Sequence, residues 1–445
     1  MLETENLDIL ADSVRRINEG FQELPAFTPE HDYERIRDVL MQAADRMQDN
    51  FPYAHPLYCG QMLKPPHPMA RLAYSMAMYI NPNNHALDGG RASSAMEKEA
   101  VASIAEMFSW KVHLGHLTSS GTMANLEALW IAGQIHPHKK IVASSQAHYT
   151  HNRISDVLKL EFESIAIDKQ AKMDANALEQ RLKLEDIGTV VVTLGTTGVG
   201  SVDPLPAILA LRDKYDFRIH VDAAYGGYFT LVNNLAKDTQ VAFDCLDQVD
   251  SIVIDPHKHG LQPYGCGCVL FRDPAVGKYY QHDSPYTYFS SDELHLGEIS
   301  LECSRAGASA VALWATQTLL PMNKDGQFAA DLAKSRDAAL QLFQRISHDP
   351  RSLTMFPPEL DIIIWAPRAN TASEISKISQ QHFARAAKSN LHLALVSLPE
   401  DLVAPYWKDV EFDQDSVTCL RSCLIKPEHL DWLDRIWEIM GKLAE

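Results

Sequence analysis

Between residues 110 and 272 the chain repeats a short apolar or β-branched run seven times: KVHLGHLT, KIVAS, SIAI, TVVVTLG, RIHVDA, SIVID and CGCVLFRD. Helical segments such as ANLEALWIAGQI and LPAILALRDKY separate most of them. Parallel neighbours need a helical crossover, so this alternation predicts an α/β fold: a mainly parallel seven-stranded sheet with helices on both faces. The last pair departs from the pattern. SIVID ends at Asp255 and CGCVLF begins at Cys266, and about ten residues is too short for a helical crossover. The final strand is therefore expected to run antiparallel to its neighbour, or the two strands are not adjacent.

Other segments flank this region. Residues 1–50 read as an N-terminal helical segment, with Thr28 as a cap before Pro29 and Glu30. Residues 51–68 are Pro-rich and irregular, as in a loop crossing a binding site. NPNNHALDGGRASS is a second loop, leading into the helix SSAMEKEAVASIAEMFSW. After residue 300, ECSRAGASAVALWATQTLL reads as an apolar helix. Candidate strands ELDIIIWAP, LHLALVSL and VTCLRSCLI and candidate helices TASEISKISQQHFARAAKSN and PEHLDWLDRIWEIMGKLAE follow. The expected division is a large domain over 51–310 and a small α+β C-terminal domain over 311–445.

Composition narrows the function classes. Of 445 residues, 40 are Lys or Arg and 58 are Asp or Glu, a formal charge of −18. That balance argues against a nucleic-acid or anionic-membrane surface. No run of about 18 apolar residues predicts a membrane span. Seven dispersed cysteines form neither a metal-binding CxxC framework nor a disulfide pattern, so no metal is expected and a cytoplasmic setting is.

Five segments carry side chains suited to chemistry. In Asp255-Pro256-His257-Lys258, the lysine follows a buried-looking strand, where an amine can act as a Schiff-base nucleophile; it reads equally as an exposed loop lysine. Asp222 ends the strand RIHVD, as a helix cap or as the partner of a buried cation. Ser120-Gly121-Thr122 lies between a strand and a helix, where free N–H groups and the helix dipole favour a phosphate. His148, after KIVAS, could stack on a flat ring or serve structure alone. Thr196 and Thr197 follow a fourth strand. All five lie at the carboxyl ends of strands, the edge where open α/β sheets gather ligands. Pyridoxal 5′-phosphate would use this whole set: an amine for its aldehyde, a helix N-terminus for its phosphate, an acid for its pyridine nitrogen and a ring platform.

The same segments resemble the fold-type I pyridoxal-phosphate enzymes, and within them the group II amino-acid decarboxylases. DPHK is similar to the family's Schiff-base lysine motif, HVDAAYGG to its pyridinium-binding segment, TSSGTMAN to its TSGGTEAN phosphate loop and AHYT to its AHYS. The resemblance implies decarboxylation of an L-amino acid to the amine and CO2. Lys258, Asp222 and His148 would be catalytic. Ser120, Gly121, Thr122, Thr196, Thr197, Ala224 and His257 would complete the cofactor contacts. It also implies a homodimer, with Gln61, His85 and Arg421 toward the substrate; Tyr58, Asp88 and Arg91 lie in the same loops. A carbon–carbon or carbon–sulfur lyase on the same scaffold is the alternative. His259 stands where the family commonly has an aromatic residue, and Tyr286, Tyr288 and His295 are candidates for the proton donor.

Overall fold

The computed structural model describes residues 4, 6–281 and 294–444. Seven strands build the large sheet: β1 (Leu114–Thr118), β2 (Lys140–Ser144), β3 (Phe162–Ile165), β4 (Ile187–Thr193), β5 (Arg218–Asp222), β6 (Ser251–Ile254) and β7 (Gly267–Phe271). Their spatial order is β1-β7-β6-β5-β4-β2-β3. Strands β3, β2, β4, β5 and β6 run parallel to one another. β7 is antiparallel to β6 on one side and to β1 on the other. The short connection after β6 thus returns as an adjacent antiparallel strand.

Burial on both faces explains the apolar runs. Every residue of β4, IGTVVVT, is buried, as expected where helices cover both sides of a parallel sheet. The helix Gly121–Ile135 covers one face. Its Ala124, Ala128 and Ile131 pack with Val253, Val269 and Phe271, while Leu129 and Ala132 pack with Ile141, Ala143 and Val191. β3 begins two residues before the SIAI run, because Phe162 through Ile165 pair in register with Ile141 through Ser144. Ile167 instead bridges to Met173.

The second sheet is antiparallel and has the order β10-β11-β9-β8, with β8 (Ser352–Thr354), β9 (Ile362–Pro367), β10 (Ala394–Pro399) and β11 (Ser416–Cys423). Sequence reading identifies three of these strands but not the three-residue β8. It also leaves out the helix Gln327–His348, whose Phe328, Leu332, Ala339, Leu342 and Ile346 are buried at helical spacing.

The N-terminal helices are Leu7–Glu19 and Tyr33–Met47. The second starts later than Thr28-Pro29-Glu30 suggests. Its cap is Asp32, whose carboxylate accepts the Arg35 N–H at 3.0 Å, placing a negative charge at the positive end of the helix. Neither helix has a buried residue. Among the described residues, no helix is long and apolar enough to cross a membrane.

Ile219 on central β5 is fully buried. Ile219→Ala should lower unfolding stability by about 2–5 kcal/mol, the range for deleting a large buried aliphatic side chain. In the same urea titration, Val112→Ala, at a site 65% exposed, should stay within about 0.5 kcal/mol of wild type.

Candidate active site

Because β7 is antiparallel to both neighbours, β1 points the same way as β6, and the strands β1, β2, β4, β5 and β6 all end on one edge. A cavity of about 190 Å³ opens there. Its lining includes Ser120, Gly121 and Thr122 after β1, His148 after β2, Thr193 and Thr197 at the end of β4, Asp222 and Ala224 at the end of β5, and Lys258 after β6. The five segments singled out in the sequence therefore meet in one place.

Lys258 is presented by a stapled turn. Its N–H donates to Asp255 O at 2.9 Å, and the His257 N–H donates to Cys266 O at 3.1 Å across the turn. His257 also donates from Nδ1 to Cys266 O at 2.7 Å, so its side chain ties the turn to the start of β7. The Lys258 amine lies 3.0 Å from Asp255 Oδ2. The other Asp255 oxygen is buried without a hydrogen-bond partner among the described residues. Gly121, the first residue of the helix Gly121–Ile135, sits against this carboxylate: a Cβ there would lie 2.6 Å from both oxygens.

Asp222 is 5% exposed. Its Oδ1 accepts the Ala224 N–H at 3.1 Å. Its Oδ2 accepts from His151 Nε2 at 2.8 Å and from Asn125 Nδ2 at 3.4 Å. Burial pushes the carboxyl upward, but the His151 hydrogen bond and charge, with Lys258 and the Ala224 N–H, hold it well below the usual carboxylate range. Behind it, His220 Nε2 meets Asn125 Oδ1 at 2.8 Å and His220 Nδ1 meets Ser251 Oγ at 2.9 Å. Burial brings the His220 imidazole down to about 3, so it is neutral at physiological pH.

Ser120 caps the helix Gly121–Ile135 by accepting the Met123 N–H at 3.3 Å, and that helix end faces the cavity. His148 is half-buried and its Nδ1 lies 2.7 Å from Thr150 Oγ1; burial pulls its imidazole below the ordinary value. Thr193 Oγ1 is buried at the cavity wall with no hydrogen-bond partner among the described residues.

The remaining expected residues divide. Thr197 lines the cavity, whereas Thr196 does not: it is fully buried, and its hydroxyl accepts the Ser201 N–H at 3.0 Å inside the turn. Arg421, on β11, donates from Nη1 to Thr197 O at 2.8 Å and from Nη2 to Gln61 Oε1 at 3.1 Å, so it bridges the cavity rim to the Pro-rich loop. His85 packs elsewhere, against Gly297 and Cys303, and Asp88 and Arg91 are exposed. His295 accepts the Leu87 N–H at 3.1 Å. Tyr286 and Tyr288 lie outside the described residues. Sequence reading did not anticipate Asn125, His151, Tyr225 or Asp255 in or behind this wall. Asp255 and His151 each lie three positions from a residue that was singled out.

The lining fits pyridoxal 5′-phosphate. A primary amine, an ionised carboxylate, a helix N-terminus with hydroxyl side chains and an imidazole converge on one cavity, and Thr193 and Asp255 each contribute a buried oxygen that lacks a partner among the described residues.

A family model described as the pyridoxal-dependent decarboxylase conserved domain matches residues 121–351. The chain belongs to that family. It is 25% identical to the L-tyrosine decarboxylase of Enterococcus faecium, over 78% of this chain and 76% of the relative. It is 30% identical to a probable L-tyrosine/L-aspartate decarboxylase of Methanothermobacter thermautotrophicus, over 58% of this chain and 69% of the relative. Solved structures share the fold. Mouse CSAD in its apo form gives a TM-score of 0.78 at 18% identity over 99% of this chain and 92% of the other. Oryza sativa TDC, crystallised with PLP and tryptamine, gives 0.78 at 16% identity over 100% and 98%.

Gly121→Ala tests how tightly the helix start is packed in this decarboxylase. The added methyl group would meet both Asp255 oxygens and push the Ser120–Thr122 turn aside. Titration of the apoprotein with pyridoxal 5′-phosphate should show affinity weakened about tenfold or more, roughly 1.4 kcal/mol, with an unchanged circular dichroism spectrum.

Proposed function

We propose that this pyridoxal-phosphate-dependent decarboxylase converts an L-amino acid to its amine and CO2, with Lys258 and Asp222 as the principal catalytic groups. The observation that carries the reading is the convergence of Lys258, Asp222, His148 and the Ser120–Thr122 helix start on one cavity. When bound, pyridoxal 5′-phosphate supplies an aldehyde for amine exchange and a protonated pyridine ring that takes up the electron pair left by departing CO2.

The chain's residues divide the remaining work. The Lys258 amine would hold the aldehyde end of the cofactor in the cavity. Asp222, buried and ionised, holds a proton on the ring nitrogen. Ser120, Gly121 and Thr122 grip the phosphate with free N–H groups and hydroxyls at the helix N-terminus. His148 and Ala224 would hold the ring between them, and Thr193 and Thr197, which line the cavity from the end of β4, would border it. His257 serves the site indirectly, through the turn that aims Lys258.

Substrate recognition is assigned to Arg421 and Gln61. Their contact at 3.1 Å places a guanidinium beside the Thr197 rim, suited to an anionic group on the substrate. The relatives named for tyrosine and aspartate decarboxylation support an aromatic or acidic amino acid. The enzyme is further proposed to be a cytoplasmic homodimer. Its seven cysteines are free thiols, as a reducing compartment favours, and Leu7, Ile9, Val39 and Leu40 of the N-terminal helices are each more than half exposed, an apolar surface suited to a second copy.

Incubation of the holoenzyme with aspartate, glutamate, tyrosine, DOPA and diaminobutyrate separates decarboxylation from other bond cleavages. CO2 and an amine in equal amounts are expected; an aldehyde or thiol without CO2 would replace this reading with a lyase. Lys258→Ala should lose turnover and the visible absorbance band of the cofactor-loaded protein, while unaltered turnover would remove Lys258 from its role. Asp222→Asn should retain the cofactor but lower kcat by about 10²-fold or more, measured at saturating substrate.

A further inference from the structure

His151 belongs to none of the roles assigned above, yet it makes the shortest side-chain contact to Asp222. It is fully buried on the first turn of the helix Thr150–Leu158, with Nε2 at 2.8 Å from Asp222 Oδ2. An ionised carboxylate only accepts hydrogen bonds, so Nε2 carries the proton. The other ring nitrogen, Nδ1, is buried with no hydrogen-bond partner among the described residues. Among the described residues the imidazole therefore has one polar anchor, and that anchor is Asp222.

The terminal torsion of an aspartate is broad and roughly two-fold, so a carboxylate at the end of a strand does not orient itself. Here the Ala224 N–H holds Oδ1 from one side, and His151 holds Oδ2 from the other, with Asn125 farther away at 3.4 Å. The titratable groups facing Asp222 are His151, Lys258 from the turn after β6, His148 at the cavity wall and His220 from its own strand. Of these, His151 alone hydrogen-bonds to the carboxylate.

We infer that His151 is a positioning residue: it fixes the rotation of the Asp222 carboxylate so that the cavity-facing edge is held for the cofactor's ring nitrogen. This rests on the assignment of Asp222 above. It adds that the selectivity of the site for a ring nitrogen is set from outside the cavity, by a side chain that does not touch the cofactor.

The test uses two ligands that differ only at that atom. Apoprotein is titrated with pyridoxal 5′-phosphate and with its 1-deaza analogue, in which a C–H replaces the ring nitrogen, and the ratio of the two dissociation constants is read. Wild type should prefer the natural cofactor. His151→Phe should reduce that preference about tenfold by weakening only the natural cofactor. His151→Gln, which keeps an N–H donor, should restore most of it. If His151→Phe does not fold, His151→Asn, whose donor is retracted, takes its place with the same expectation.

An unchanged ratio in the Phe or Asn variant, or equal weakening of both ligands, overturns the inference. Asp222→Ala separates the two levels. It should abolish the preference; if it does not, the Asp222 assignment itself fails. If Asp222→Ala abolishes the preference while the His151 variants keep it, only the role of His151 is lost.

Discussion

A carboxylate buried at the end of β5 sets the terms for everything around it. Removing an ionised group from water is costly unless hydrogen bonds and charge replace the solvent. At Asp222 the replacements come from separate parts of the chain: Asn125 from one helix, His151 from another, the Ala224 N–H from the next turn and the charge of Lys258 from the far side of the cavity. Satisfying this one group therefore requires two helices and the β6–β7 turn to sit where they do. The cavity and the charge that defines it are one construction.

The sheet supplies the frame. Six strands point the same way, five of them deliver cavity residues to one edge, and the reversed β7 lets β1 be one of the five. Because β7 runs opposite to both β1 and β6, the Ser120–Thr122 turn and the Lys258 turn emerge at the same edge. There Gly121 lies against Asp255, the ion-pair partner of Lys258. The second sheet contributes through Arg421 on β11, which reaches the Thr197 turn and so touches the cavity rim.

Much of this was legible in the sequence because its causes are local. Alternation of apolar runs and helices follows from burying both sheet faces, and the brevity of residues 255–266 rules out a helical crossover, leaving an antiparallel neighbour or separated strands, of which the structure shows the first. Lys258, Asp222, His148 and the Ser120–Thr122 turn were recognisable because each follows a strand within a few residues. What was not legible depends on contacts between distant positions. The Asn125 and His151 contacts to Asp222 span 97 and 71 residues. Nothing in a Ser/Thr turn says which hydroxyl faces outward, so Thr196 and Thr197 read alike although one is folded into its own turn and the other faces the cavity. The cap at Asp32 was masked by the more familiar Thr-Pro-Glu pattern at positions 28–30, a reminder that cap chemistry marks several starts and packing selects among them.

The stapled connection between β6 and β7 also bears on how such an enzyme can diversify. Lys258 and His257 are tied by backbone hydrogen bonds to Asp255 and Cys266, and the segment has no slack between two paired strands. An insertion there would move the amine relative to Asp222. The Pro-rich loop is anchored at Cys59, to His392 and Cys423, and at His67, to Leu261, but residues 61–66 between those anchors make no backbone–backbone hydrogen bond among the described residues. Lineages built on this scaffold are thus free to retailor what enters the pocket by lengthening that rim, while the short connection keeps the spacing between Lys258 and Asp222 as a fixed ruler.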